Sequence, residues 1–404
     1  LTMGQRAVVE MKFESGDTIS NWDRFSLRDN YTDPLGSLSF TVTPPRADIL
    51  RYRDLLQKGA LVGVKVADRP VALPIITTVQ TSVDMRGVSF SIEAQSVLVT
   101  PYEGSVDPEI AKKYNSDTQV ETVVREAMAL YGFDYIDTDV RAMLSAMTGK
   151  SVVTGKAAVN LDALKHSDIQ ATEGETAYGF CSRILERLGV VMRCDHLGRL
   201  IIGSPDYDQS PSYTLVQDLD RSTAGDRMLD DIEISDTNSG QFSEVVVRGK
   251  GADAQGQKRI GRPSARAKVD GLARPAGAPY SDVPGKIIKA GPHTYRSASA
   301  PYKPRFALDK NARDRERCQC VATLMHGIRA ASGYTLDCSD GGLVSTTGRV
   351  WTVDTVARVK IGALGIDMPM WIQERTLTQD RAGGQRTRLR LLPLGALVLG
   401  DVPS

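Results

Sequence analysis

The chain has 404 residues, 41% hydrophobic and 25% charged, with 50 Lys and Arg against 49 Asp and Glu. This balance fits a folded protein of several domains and excludes a disordered chain, a collagen and a coiled-coil rod. The net charge of +1 argues against a whole-molecule nucleic-acid or membrane-surface binder.

No apolar run approaches the ~20 residues of a membrane helix, and Leu1–Glu10 lacks the apolar stretch of a secretory signal. The five cysteines, Cys181, Cys194, Cys318, Cys320 and Cys338, are odd in number and sparse. They point to a reduced, cytosolic protein without a disulfide framework. Frequent Gly and few aromatics suggest many short strands and turns.

Residues 1–100 read as an all-β unit. Val9, Met11 and Phe13 alternate with polar neighbours, as do Leu38, Phe40 and Val42, then Val62, Val64 and Val66, then Val88, Phe90, Ile92 and Ala94. Period 2 places each set on one face of a half-buried strand, and strands at this spacing predict a barrel or sandwich. A short helix is predicted over Ala47–Lys58, with Ile49, Leu50, Leu55 and Leu56 inward and Gly59 ending it.

Residues 101–205 read as an α+β module. Asp107-Pro108 is a helix-start signal. Thr118 and Glu121 have capping-box spacing before the stripe Val120, Val123, Val124, Ala127 and Met128, with Gly132 just past the end. Thr172 and Glu175 repeat the box before Ala177, Phe180, Cys181, Ile184, Leu185 and Leu188, with Gly189 as the stop. Val190–Arg193 and Leu200–Ile202 form a predicted hairpin turning at His196–Gly198.

Residues 206–404 read as a second β-unit. Its strands are predicted at Asp231–Ser235, Glu244–Arg248, Val350–Val353, Ala357–Ile361, Met370–Leu377 and Thr387–Leu392. A helix is predicted over Ala307–Ala331, burying Cys318, Val321, Ala322, Met325 and Ile328. Between these lies a basic insertion, residues 249–305, with twelve Lys and Arg, three Asp, eight Gly and seven Pro. Its net charge of +9 leaves −8 on the other 347 residues, so the overall +1 is a cancellation. Lys258, Arg259, Arg262, Arg266, Lys268 and Arg274 are its candidate interface residues. They could meet an acidic partner such as a nucleic-acid backbone, or order a loop against neighbouring subunits.

No catalytic constellation emerges. His166, His196, His293 and His326 fall in no metal-ligand spacing. Cys318 and Cys320, two apart on a helix, point in different directions and lack a second ligand pair. There is no G-x-S-x-G elbow, and Gly249-Lys250-Gly251 lacks the spacing of a phosphate-binding loop. Glu173 and Glu175 are explained as helix N-terminal charge. No catalytic residue, cofactor or metal site is expected.

Four segments carry a family resemblance. Asp117–Arg125, the run Glu173–Gly203 (EGETAYGFCSRILERLGVVMRCDHLGRLIIG), the predicted helix near Arg313–Ala331, and Trp351–Leu392 with its MWIQERTLTQD stretch resemble the baseplate hub protein of Mu-like contractile-tailed phages. That family is similar to the T-even phage hub and to the N-terminal region of type VI secretion spike proteins. The resemblance implies a mainly β, α+β fold: two tail-tube-like β-barrel domains (1–100 and 206–404) around the α+β module (101–205). It implies a homotrimer forming a pseudo-sixfold ring that joins a sixfold tail tube to a threefold central spike. The implied partners are the spike protein, the tube or its initiator, baseplate wedge proteins and DNA passing through the lumen. The implied location is the virion tail, after assembly in the host cytoplasm. Two alternatives stay open: a tail-associated cell-wall hydrolase, and the hub part of a type VI or other contractile injection system.

Overall fold

The alternating segments become strands. The computed structural model describes residues 7–107, 109, 118–138, 171–217, 229–249, 264–269, 285–288, 303–309 and 333–396, apart from 86, 119, 134–135, 173, 189, 238–241 and 382, with parts of a helix between 315 and 326. The N-terminal part runs β1 (Val9–Phe13), β2 (Thr18–Ile19), β3 (Arg24–Asn30), β4 (Asp33–Val42), α1 (Ile49–Leu55), β5 (Val62–Val66), β6 (Arg69–Ala72), β7 (Pro74–Asp84), β8 (Gly87–Ser96) and α2 (Val99–Glu103). The middle holds α3 (Val120–Ala129), β9 (Ile136–Thr138), α4 (Ala177–Leu188), β10 (Val191–Cys194) and β11 (Leu200–Gly203). The C-terminal part holds β12 (Tyr213–Gln217), β13 (Asp231–Asp236), β14 (Glu244–Gly249), β15 (Ser264–Val269), β16 (Gly285–Ile288), β17 (Pro304–Asp309), β18 (Tyr334–Asp340), β19 (Val356–Ile361), β20 (Ile366–Asp380) and β21 (Gly384–Pro393).

The two ends of the chain share one ten-stranded sheet. Its main path is β13-β18-β21-β20-β3-β4-β8-β7, with β19 on β20 and β12 on β19. Antiparallel pairing of β20 with β3, Leu377 opposite Leu27, joins the halves. The inner face and the four-stranded sheet β2-β1-β5-β6 enclose a core that includes Met11, Phe40, Ile92, Leu336, Leu377 and Leu391. The fold is mainly β, as expected. Among the described residues, however, the sheets are open paths and none closes into a barrel within this chain.

The middle part has its own core. The stripes of α3 and α4 bury Val120, Val124, Phe180, Ile184 and Leu185 beside the sheet β10-β11-β9. Gly132 ends α3 at φ 84°, a conformation that favours glycine. The expected Thr172–Glu175 pair forms, with Thr172 Oγ1 donating to Glu175 Oε2 at 3.1 Å. It lies one turn before the helix, however. Gly179 N donates to Thr176 Oγ1 at 3.0 Å, so Thr176 caps α4.

Several expectations need correction. Residues 307–309, the expected start of a long helix, belong instead to β17, which pairs with β14. The described helical residues in this region lie between 315 and 326, where Cys318, Val321, Ala322 and Met325 pack on Val245 and Val247. Within the basic insertion, β15 and β16 are strands of the sheet β16-β15-β14-β17. Val350–Val353 is no strand; Val350 makes only an isolated bridge to Val344. Leu50 points outward, at 63% exposure, while Leu56 is buried. The helix expected after Asp107-Pro108, and Gly189, lie outside the described residues.

Candidate functional site

The best-defined polar site is the junction between the α+β module and the large sheet. Asp354 lies at its centre, in the turn before β19. Its φ of 63° is left-handed, a conformation that Asp tolerates better than most side chains. The Asp354 carboxylate accepts hydrogen bonds from Arg193 Nη2 at 2.8 Å, Trp371 Nε1 at 2.9 Å and the Asp206 amide at 3.3 Å. Its carbonyl accepts Gln209 Nε2 at 2.8 Å. Burial raises the carboxyl above its ordinary range, while the Arg193 charge and the Trp371 bond oppose that shift.

Aromatic rings complete the junction. The Arg193 guanidinium lies 5.1 Å from the Tyr31 ring centroid. Tyr31 and Tyr207 each meet Trp371 edge to face, at 5.1 and 5.6 Å. Tyr31, Val353, Trp371, Leu392 and Ala396 form a small buried cluster there.

A second charged anchor lies on the inner face of the sheet. A register shift between Ile372 and Glu374 changes which side chains face inward, and Arg375 falls in line with Leu389. Arg375 is 4% exposed. It donates to the Trp351 carbonyl, donates to the Val71 carbonyl at 3.1 Å and pairs with Asp29 at 3.3 Å. One guanidinium therefore holds β3, β6 and the segment before β19.

A cleft of about 420 Å³ opens between these anchors, lined by Leu35, Leu73, Cys194, His196, Asp354 and Arg375, among others. Its charged groups are already engaged. Arg199 pairs with Asp195 at 2.6 Å, and Arg193 with Asp354. Burial pushes the Cys194 thiol up to about 12, which keeps it protonated at neutral pH. The geometry suits holding parts together.

The outward face of the large sheet is polar and paired across strands. Arg28 binds Glu374 at 2.9 Å, and Arg390 binds Asp337 at 2.8 Å. Arg24 lies 3.3 Å from Asp380.

Of the basic candidates, Arg266 lies on β15 with Nη1 3.8 Å from Glu244 Oε1, and its carbonyl accepts Gln319 Nε2 at 2.8 Å. Lys268 lies two residues further along the same strand. Lys258, Arg259, Arg262 and Arg274 are outside the described residues, as are His166 and His293. His196 is in the β10–β11 turn, and His326 is buried with its pKa lowered by that burial. Among the described residues, no group of three His, Cys, Asp or Glu is placed to hold a metal, and no helix is long and apolar enough to cross a membrane. The junction residues were missed in the sequence. Asp354 and Arg375 sit in ordinary-looking polar positions, and nothing in local spacing marks them.

The architecture matches solved tail proteins from end to end. The tail protein from Neisseria meningitidis MC58 superposes with a TM-score of 0.68, covering 97% of this chain and 98% of that chain, at 16% identity. This chain has the fold of a prophage tail protein. The 43 kDa tail protein of prophage MuSo2 from Shewanella oneidensis is also similar, with a TM-score of 0.66, 13% identity and coverage of 97% of this chain and 99% of that chain. A Francisella PdpA–VgrG complex aligns over 99% of this chain and 60% of that chain, with a TM-score of 0.52 and 11% identity. No protein-family model matches the sequence, and no curated protein matches it. The expected likeness to Mu-like tail proteins is therefore met in the fold, which is shared with part of a PdpA–VgrG complex.

Proposed function

We propose that this chain is the baseplate hub of a phage tail, acting by assembly and without catalysis. Three copies form a pseudo-sixfold ring that joins the sixfold tail tube to a threefold central spike. DNA passes through the lumen at ejection, wedge proteins surround the ring, and assembly takes place in the host cytoplasm before the protein enters the virion. The observation that carries this reading is the match in fold to tail proteins over 97% of this chain and 98–99% of theirs. The cross-strand pairing of outward charges and the internally satisfied junction fit a rigid scaffold. Residues 1–100 and 206–404 are taken as the two tail-tube-like units, around the α+β module 101–205.

The hub part of a contractile injection system is the second reading, and the fold shared with the PdpA–VgrG complex supports it. A host-range test separates the two: purified tail particles carry the chain in the first case, and secretion-system sheaths carry it in the second.

Light scattering of the purified chain tests the assembly. The expected mass is three times that of the chain, and a strict monomer at high concentration and low salt overturns the reading. A zymogram against peptidoglycan tests the absence of catalysis. No clearing is expected, and clearing by the purified chain establishes the hydrolase alternative.

A further inference from the structure

The β7–β8 hairpin extends past the core it belongs to. At its base the outer edge of β7 is closed: Gly59 N donates to the Ile76 carbonyl at 2.8 Å, Ile76 N donates to the Ala60 carbonyl at 2.9 Å, and Leu61 bridges Ile75. A register shift follows between Ile76 and Thr78. Beyond it, among the described residues, β7 pairs with β8 alone, from Thr78 opposite Glu93 to Asp84 opposite Gly87, and its far edge is left unpaired.

Two features separate this edge from an ordinary solvated one. No charged residue or proline occurs from Ile75 to Val83, so two of the devices that usually keep edge strands from pairing are missing, and the register shift lies before the open stretch. The apolar row of the core also continues along the hairpin. Val79 lies opposite Ile92, Thr81 opposite Phe90, and Val83 opposite Val88. Phe90 and Ile92 are buried, yet Val83 is 76% exposed and Met85, in the turn, is 96% exposed. The row ends in water, with apolar groups where a partner surface would begin.

We propose that the open edge of β7, with Val83 and Met85, is the surface on which a second copy of this chain docks, adding its β13 to the sheet. The choice of a second copy rests on the hub reading; the choice of strand rests on the sheet itself. β13 and β7 are the two ends of the main path of the ten-stranded sheet. β13 carries Asp231, Glu233 and Asp236, so pairing with its own image would set carboxylates against carboxylates. The uncharged edge of β7 offers no such repulsion. Two different edges meeting head to tail also make a heterologous contact, which repeats by rotation and closes a ring. A β7–β7 contact would stop at a dimer.

The test uses the purified full chain. A Val83→Asp/Met85→Asp variant is compared with wild type and with Leu364→Asp, a control at another exposed apolar position. All three should melt alike, because the altered side chains are exposed. Assembly, followed by light scattering across a dilution series, is expected to weaken by about tenfold or more in the double variant and to be unchanged in the control. Hydrogen exchange of wild type should show the amides of 78–84 and 231–236 slowing together on assembly. A trimeric wild type whose double variant assembles equally well overturns this docking surface and leaves the hub reading standing. Slowing at 78–84 without slowing at 231–236 overturns the assignment of β13. A monomeric wild type overturns both the docking surface and the hub.

Discussion

Arg193 Nη2 lies 2.8 Å from Asp354 Oδ2, and this pair ties the β10–β11 hairpin of the α+β module to the turn that feeds β19. The same carboxylate receives Trp371 Nε1, a ring buried between Tyr31 and Tyr207. Loss of Asp354 therefore strips a partner from a charged side chain and from an indole at once. Asp354→Ala is expected to cost about 3 kcal/mol, in the range for breaking a shielded pair from one side. Asp354→Asn keeps an acceptor for the indole and tolerates the left-handed backbone, so it should cost about half as much. Urea denaturation checks the order; an Ala variant as stable as the Asn variant contradicts the account.

Arg375 makes a stronger demand. Its guanidinium reaches the Val71 carbonyl, the Trp351 carbonyl and Asp29 from a position 4% exposed. Arg375→Ala leaves two buried carbonyls without their donor and opens a cavity, and is expected to cost about 3–5 kcal/mol. Arg375→Lys restores the charge without the fork and should recover only part of that loss. Thermal unfolding of the two variants reads the difference.

The pH dependence has a sign that the pairings dictate. Burial works to raise Glu175, Asp195 and Glu374, but hydrogen bonds and charge from Arg183, Arg199 and Arg28, with backbone donors, outweigh it and leave all three lowered. A folded-state pKa below the unfolded one gives stability that is present above the unfolded carboxyl range, about 4, and is lost as pH falls through the folded value. The melting temperature should therefore hold through neutral pH and drop below about pH 4. Asp354 is raised, so its contribution runs the other way. Asp354→Asn should make the acid loss steeper, as a thermal-shift series from pH 7 downward would show.

Helix α4 discriminates between two threonines. Thr176 Oγ1 accepts the Gly179 amide, whereas Thr172 Oγ1 bonds only within the preceding turn, to Glu175. Thr176→Ala should cost about 1 kcal/mol and Thr172→Ala less, because the Thr172 amide keeps its own bond to Glu175 Oε2 at 2.9 Å. Equal costs in chemical denaturation would contradict the assignment of the cap.

Much of the strand pattern was legible in the sequence because burial follows a period of two. Leu38, Phe40 and Val42 in β4 and Leu389 and Leu391 in β21 face inward as their alternation predicts. β3 was not legible: RFSLRDN offers only Phe25 and Leu27 as apolar residues, and its role depends on pairing with β20 some 350 residues away. The second half of β17, residues 307–309, was misread as the start of a helix because PRFALD has no local strand signal; its pairing with β14 decides the conformation. The junction was hidden for a similar reason. Arg375 faces inward only because of the register shift beside Glu374, and Asp354 gains its partners from three separate segments. The basic residues drew attention by composition, yet the described ones, Arg266 and Lys268, lie on an ordered strand of a small sheet.

The most direct test of the central claim is an electron-microscopy image of the purified full-length chain at assembly concentration. The account predicts a ring of three copies with an open centre and near-sixfold density around it. Single particles of one chain, or a closed two-fold dimer without a central opening, would contradict it.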